Sequence, residues 1–216
     1  MIPKLHYISQ GDSPKEHLDN IIQACTSGAE LVQLRLKNLD DATLLKTAEK
    51  AREITHNYQT RLIINDHYKI AKAVKSDGVH LGRKDACPLE AKKHLYSWQI
   101  IGGTANSIQD CKILINKKVD YIGLGPFRFT RTKQNLGPIL GLTGYETLLK
   151  ALNTEIPIIA VGGITLNDVP EILKTGVYGI AISGELTRDF NQINQFKQLL
   201  PSSELQEQVW KSNQKT

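Results

Sequence analysis

Short apolar runs alternate with amphipathic stretches along most of the chain. The runs at Lys4–Ser9, Leu31–Leu36, Leu62–Asp66, Gly78–Gly82, Ile100–Thr104, Tyr121–Gly125, Pro157–Gly162 and Gly179–Ser183 are mostly rich in Ile, Val and Leu, and several close on Gly, Asn, Asp or Thr. Such runs predict strands buried on both faces of a sheet. Between them, Leu18, Ile21, Ile22 and Cys25 fall on one helical face, and Leu44, Leu45, Ala48 and Ala51 form a second stripe. Ile108, Cys111 and Ile115 follow Ser107, an N-cap candidate with Asp110 in the first turn. Val169, Ile172 and Leu173 follow Asn167-Asp168 and stop at Gly176, which marks both ends of a further helix.

Strands alternating with helices predict a parallel α/β protein. The strand-to-strand repeat averages about 25 residues, which suits a (β/α)8 TIM barrel at the short end of its size range. An open doubly wound sheet is the competing architecture, but the chain has no GxGxxG turn. The barrel is expected to fill residues 1–201 as one domain, with 202–216 a polar tail whose anchor candidate is Trp210.

Composition narrows the function classes. Hydrophobic residues are 40% and charged residues 23% of the 216, with a formal net charge of +5. A mild basic excess suits a pocket for a phosphorylated small molecule. Aromatics at 6% are thin for a base-stacking surface, and the basic residues gather at strand ends rather than along one helix. No nucleic-acid partner is therefore expected. Cys25, Cys87 and Cys111 form no CxxC motif, which favours a reducing cytoplasm over a disulfide scaffold or zinc site. The apolar runs are too short to span a bilayer, and MIPKLHYISQ lacks the apolar core of a signal peptide.

In a barrel, residues just past the carboxyl ends of the strands share one face, and the active site sits there. Polar residues recur at those places. Strand two ends in Gln33-Leu34-Arg35-Leu36-Lys37, strand three in Asn65-Asp66, and strand four runs on through His80 to Asp85. Strand five ends at Thr104 and Asn106, and strand six opens into Gly125-Pro126 and then Thr130-Arg131-Thr132-Lys133. Strand seven ends in Gly162-Gly163 and strand eight in Ser183-Gly184.

Asp66 and Asp85 come from adjacent strand ends. Two carboxylates without histidine or thiolate partners suit a hard cation such as Mg2+. The plain alternative is that Asp66 caps the next helix and Asp85 sits in a solvated loop. Gln33, Arg35 and Lys37 alternate on one strand face. A cationic pair pointing inward requires an anion, either a substrate pyrophosphate or a neighbouring carboxylate. Thr130 to Lys133 offer hydroxyls, N–H groups and an ammonium for a phosphate, or form an ordinary basic loop. The loops after strands seven and eight are the habitual phosphate site of this fold, or else plain turns. His80 reads as a hydrogen-bonded pocket histidine and His6 as a candidate for the barrel interior. His17, His56, His67 and His94 read as helix or loop surface. Cys87 reads as an incidental thiol. No nucleophile or base dyad is evident, which suits a reaction in which pyrophosphate leaves and a second substrate attacks.

Seven motifs, QLRLK (33–37), IIND (63–66), DGVHLGRKD (77–85), IGGTA (101–105), DYIGLGPFRFTRTK (120–133), AVGGI (160–164) and GIAISGEL (179–186), resemble the thiamine-phosphate synthase family, in order, over roughly residues 5–190. Members join 4-amino-2-methyl-5-hydroxymethylpyrimidine diphosphate to a thiazole phosphate and release pyrophosphate. The resemblance implies Mg2+ on Asp66 and Asp85. It implies the pyrimidine diphosphate on Gln33, Arg35, Lys37, Asn65, Thr104 and Lys133, and the thiazole phosphate on Thr130, Thr132, Gly163, Ser183 and Gly184. Leu34, Leu36 and Arg131, within the same motifs, count among the substrate-binding residues, and Arg35, Lys37 and Lys133 would carry the catalytic charge.

The chain departs from the family pattern at Leu36, where an acid is common, at Arg83-Lys84 in place of Gln-Glu, at Thr104 in place of serine and at Asn106 in place of histidine. The last phosphate turn is one residue shorter, so that Ile182-Ser183 competes with Ser183-Gly184. A related thiazole tautomerase shares the barrel but does not need the aspartates or the TxTK loop, both present here. A non-catalytic phosphate sensor is the rival from another class.

Overall fold

The apolar runs become strands and the amphipathic stretches helices in the computed structural model, which describes residues 1–130 and 137–201. In chain order they are β1 (Leu5–Ile8), α1 (Pro14–Thr26), β2 (Leu31–Leu34), α2 (Asp41–Asn57), β3 (Arg61–Asn65), α3 (Tyr68–Ala73) and β4 (Gly78–Leu81). There follow α4 (Pro88–His94), β5 (Ile100–Ala105), α5 (Ile108–Asn116), β6 (Tyr121–Leu124), α6 (Gly141–Ala151) and β7 (Ile158–Val161). After the 3-10 turn Leu166–Asp168 come α7 (Val169–Lys174), β8 (Gly179–Ile182), α8 (Gly184–Arg188) and α9 (Gln192–Leu199). The strands close into one parallel barrel, β8 returning to β1 with Leu5 opposite Ile180. The predicted (β/α)8 TIM barrel is the observed fold. The predicted tail, 202–216 with Trp210, lies outside the described residues.

Helix starts follow the capping chemistry. Ser13, Asp40 and Ser107 each accept an N–H from the third residue on, at Glu16, Thr43 and Asp110. Thr165 and Asp168 form a reciprocal capping box at the turn into α7. Apolar side chains pointing outward from the strands pack with the helices into the main core, while Tyr121, Ile159 and Ala181 form a small cluster that includes Ile8, Ile100 and Val161 at its margin.

Three expectations are corrected. β2 stops at Leu34, so Arg35, Leu36 and Lys37 lie beyond the strand rather than in it. The buried stripe of α1 is His17, Ile21, Ala24 and Cys25, with Ile22 40% exposed. Ile22 lies one residue past Ile21, and α1 is rotated so that the next turn of the core face falls on Ala24 and Cys25. His17 is thereby buried, not on the surface.

Candidate active site

Because strand side chains alternate, every second residue of each strand points into the barrel. His6 and Ile8, Gln33 and Arg35, Asn65, His80, Thr104 and Asn106, Tyr121 and Gly123, Ile159 and Val161, and Ala181 and Ser183 all line one cavity of about 610 Å3. It opens at the carboxyl ends of the strands, between the loop after β1 (Gln10, Gly11, Asp12) and the turns at Gly162-Gly163 and Ser183-Gly184.

The floor is a buried polar network. The His80 ring joins the Tyr121 hydroxyl through Nδ1 at 3.1 Å and the Thr104 hydroxyl through Nε2 at 2.9 Å. Burial raises the Tyr121 phenol far above its ordinary value, against the hydrogen bond with Gln33, so it stays protonated. His6 is 1% exposed, meets the Tyr121 ring edge-on, and its Nε2 donates to the Pro3 carbonyl at 2.9 Å, a bond that favours the charged ring but is outweighed by burial. Burial takes its pKa down to about 4.

The two aspartates meet at the rim. Asp66 adopts φ +65, a left-handed conformation an aspartate tolerates at modest cost, and its N–H donates to the His80 carbonyl at 2.8 Å. It does not cap α3, whose N-cap is His67 without a side-chain bond. The Asp85 carboxylate folds back to accept the Gly82 N–H at 2.6 Å and is hydrogen-bonded to Asp66. Burial first, then the hydrogen bond and charge of Asp66, push Asp85 up to about 6. Burial acts to raise Asp66 as well, but its bonds to Asp85 and Lys37 and the charge near it outweigh that and hold it below the usual carboxylate range. Two carboxylates this close repel each other when both are ionised, and a divalent cation would relieve that repulsion. A Cβ on Gly82 would lie 2.7 Å from one Asp85 oxygen and 3.9 Å from one of Asp66, so the bare glycine face leaves both carboxylates open to the same space. Oxygen-only donors and this cradle fit Mg2+.

Cations stand around the pair. Lys37 Nζ is 3.2 Å from Asp66 Oδ2 at the edge of the site. Arg35 lines the cavity. Burial lowers its guanidinium below the ordinary value, and Asp66 opposes that. The backbone of Arg35 is held by Ser9, whose hydroxyl accepts the Arg35 N–H at 3.0 Å and donates to His17 Nδ1 at 2.7 Å, while His17 Nε2 donates to the Gly11 carbonyl at 3.1 Å. Asn65 lines the cavity, is 6% exposed, and its Nδ2 is a buried donor with no hydrogen-bond partner among the described residues.

The structure brings together Gln33, Arg35, Asn65, Thr104, Thr130, Gly163, Ser183 and Gly184 on the cavity wall, with Lys37, Asp66 and Asp85 beside it. Leu34 and Leu36 do not line it. Their side chains are 1% and 5% exposed in the core between barrel and helices. Arg131, Thr132 and Lys133 lie outside the described residues. Asn106 donates to the Gly125 carbonyl and so ties the end of β5 to that of β6, and Arg83 pairs with Asp110 at 3.6 Å, away from the cavity lining. Sequence reasoning missed the Ser9–His17 bracket, Gln10, Glu16, Glu185 and Arg188 on the wall, and the Arg128–Asp168 pair. Helical or loop position carried no periodic signal for them.

Fold and site together define a parallel (β/α)8 barrel with paired carboxylates, fixed cations and glycine turns at one mouth. The sequence profile described as thiamine monophosphate synthase matches residues 5–186. The chain belongs to that family. It is 42% identical over 202 residues to the thiamine-phosphate synthase of Flavobacterium psychrophilum, covering 92% of this chain and 98% of that protein. It is 38% identical over 199 residues to the one from Bacteroides fragilis, covering 91% and 98%. Among solved structures, thiamine phosphate pyrophosphorylase from Pyrococcus furiosus superposes with a TM-score of 0.78 at 27% identity, covering 92% of this chain and 97% of that one.

Proposed function

We propose that the chain is a Mg2+-dependent transferase that joins 4-amino-2-methyl-5-hydroxymethylpyrimidine diphosphate to 4-methyl-5-(2-phosphoethyl)thiazole, or to its carboxylated form with loss of the carboxyl group as CO2, to give thiamine phosphate and pyrophosphate. The observation that carries this reading is the convergence of Asp66, Asp85, Arg35 and Lys37 on one side of a mouth whose other side is built from the turns at Gly162-Gly163 and Ser183-Gly184. Asp66 and Asp85 would hold Mg2+, which when bound supplies positive charge to a diphosphate leaving group.

The chain's own groups do the rest. Arg35 and Lys37, together with Lys133, stabilise charge growing on the pyrophosphate as the pyrimidine–CH2–O bond breaks and its electron pair leaves with oxygen. The buried Asn65 amide and Gln33 orient the diphosphate and ring. The aminopyrimidine spreads the benzylic positive charge, and the thiazole nitrogen lone pair forms the new C–N bond. Holding the thiazole phosphate against the opposite turns fixes that nitrogen near the reacting carbon. No enzyme nucleophile takes part.

The test is a coupled pyrophosphate assay with each substrate omitted in turn. Pyrophosphate and thiamine phosphate are expected together, only with both substrates and Mg2+, and chelation is expected to stop the reaction. Asp66→Ala and Lys133→Ala should each lower turnover on the order of a hundredfold or more. Near-normal rates in both would overturn the site assignment, and no product at any enzyme level would overturn the reaction.

A further inference from the structure

Where β7 ends, two consecutive glycines take left-handed conformations, Gly162 at φ +103 and Gly163 at φ +67. Without side chains, such a turn has little of its own to fix its peptide planes. Here an arginine does so from outside the cavity. Arg128 donates from Nη1 to the Gly163 carbonyl at 3.1 Å and to Asp168 Oδ2 at 2.8 Å, and from Nη2 to Asp168 Oδ1 at 2.7 Å. Its own N–H donates to the Gly162 carbonyl at 2.9 Å, and the Phe127 ring lies 5.1 Å from the guanidinium. Asp168 is anchored in turn, its Oδ2 accepting the Thr165 N–H at 2.8 Å and the Thr165 hydroxyl at 2.7 Å.

A trans peptide points its N–H opposite to its carbonyl. With the Gly163 carbonyl drawn to Arg128, the Ile164 N–H points away from Arg128, and Gly163, Ile164 and Thr165 all line the cavity. The N–H groups of Gly163 and Ile164 donate to no described residue.

We propose that the Arg128–Asp168 fork is a positioning device that presets this turn for a phosphate, so that Arg128 governs the affinity for the thiazole phosphate without touching it. The inference rests on the reading above only in placing a phosphorylated substrate at this turn. A fork is required rather than a charge: lysine keeps the charge but cannot bind both carboxylate oxygens and a carbonyl in one plane. Because the Arg128 side chain is 48% exposed, its ion pair adds little to stability, and loss of the fork separates from loss of fold.

Titration calorimetry with thiazole phosphate and, separately, inorganic phosphate, together with steady-state kinetics, tests this on the wild-type chain, Arg128→Ala and Arg128→Lys. Both variants should bind thiazole phosphate on the order of tenfold more weakly and raise its KM to match. The KM for the pyrimidine diphosphate should hold, and Tm should stay within about 2 °C. Millimolar guanidinium should restore affinity to Arg128→Ala. Unchanged thiazole phosphate affinity in the variants, an equal loss for both substrates, or a wild-type chain that binds neither phosphate overturns the proposal. Weakened binding in the variants, with wild-type chain that binds but makes no thiamine phosphate, supports the fork and removes the synthase reaction instead.

Discussion

Gly82 shows how much of the site is decided by single residues. Its N–H holds the Asp85 carboxylate at 2.6 Å, and its missing side chain keeps the space between Asp85 and Asp66 open. Gly82→Ala would place a methyl 2.7 Å from Asp85 Oδ2, well inside contact distance, so the carboxylate must swing away. The expected result is a rise of about tenfold in the Mg2+ concentration giving half-maximal activity, with the substrate KM values at saturating Mg2+ little changed, as reorienting one of two carboxylate donors weakens a metal site. A Mg2+ titration of wild type and variant decides it, and coincident curves refute the cradle. The aspartates were legible in the sequence because each follows a strand of clear apolar pattern, and their lack of soft partners already pointed to a hard cation. His17 was not. It sits between Glu16 and Leu18 and reads as a polar surface position, yet the helix turns it inward, where Ser9 and the Gly11 carbonyl satisfy both ring nitrogens. Only the tertiary path of the loop after β1 creates that environment. The Arg128–Asp168 fork was hidden for a similar reason, since its partners are 40 residues apart in sequence.

At the scale of elements, strands and longer helices were readable from periodicity, and the errors fell at their ends. From Val32 to Leu36 apolar and polar residues alternate without a break, yet pairing with β3 reaches only Leu34 opposite Ile64. Beyond that point Arg35 lines the cavity and Lys37 reaches Asp66, while Leu36 continues into the core. The short helices α3, α4 and α8 have too few turns for a hydrophobic stripe to emerge, and packing rather than propensity makes them. α5 behaves as its sequence dictates. The Ser107 hydroxyl accepts the Asp110 N–H at 3.2 Å, and the Asp110 carboxylate accepts the Asn106 N–H at 2.9 Å. Ser107→Ala removes one of these two caps and should cost about 1 kcal/mol, read as a lower urea midpoint at unchanged slope. KM values should hold, because Ser107 is absent from the cavity wall. A shift in KM without a shift in midpoint would place Ser107 in the site instead.

For the molecule as a whole, a polar interior inside the barrel makes stability depend on pH in a predictable sense. His6 lies at the centre of the barrel with its ring against Tyr121, and its folded pKa is about 4 against 6.5 for the free side chain. His17 is lowered too, by burial first, with Arg35 adding to it and the Gly11 carbonyl and nearby acids opposing. Both are held neutral in the folded chain and take up a proton more readily once unfolded. Their contribution is therefore fully present above pH 6.5 and is lost as the pH falls toward 4. For His6 alone, the difference corresponds to about 3 kcal/mol at most, from roughly 1.4 kcal/mol per pKa unit. The carboxylates held low by their partners, such as Asp168 beside Arg128, weaken the fold only at still lower pH. Asp85, raised to about 6, works in the opposite sense and adds stability as the pH falls through about 6, so the histidine-driven decline between pH 6.5 and about 4 is partly offset in the wild-type unfolding free energy measured in urea and is read against a variant that lacks the histidine. His6→Gln keeps an N–H donor for the Pro3 carbonyl but cannot charge, so it should flatten that decline even if it lowers stability at pH 7. Parallel pH profiles for wild type and His6→Gln would show that the decline arises elsewhere. The neutrality of His6 also keeps it from adding positive charge beneath the mouth, while at the rim Arg35 and Lys37 stand beside the aspartates.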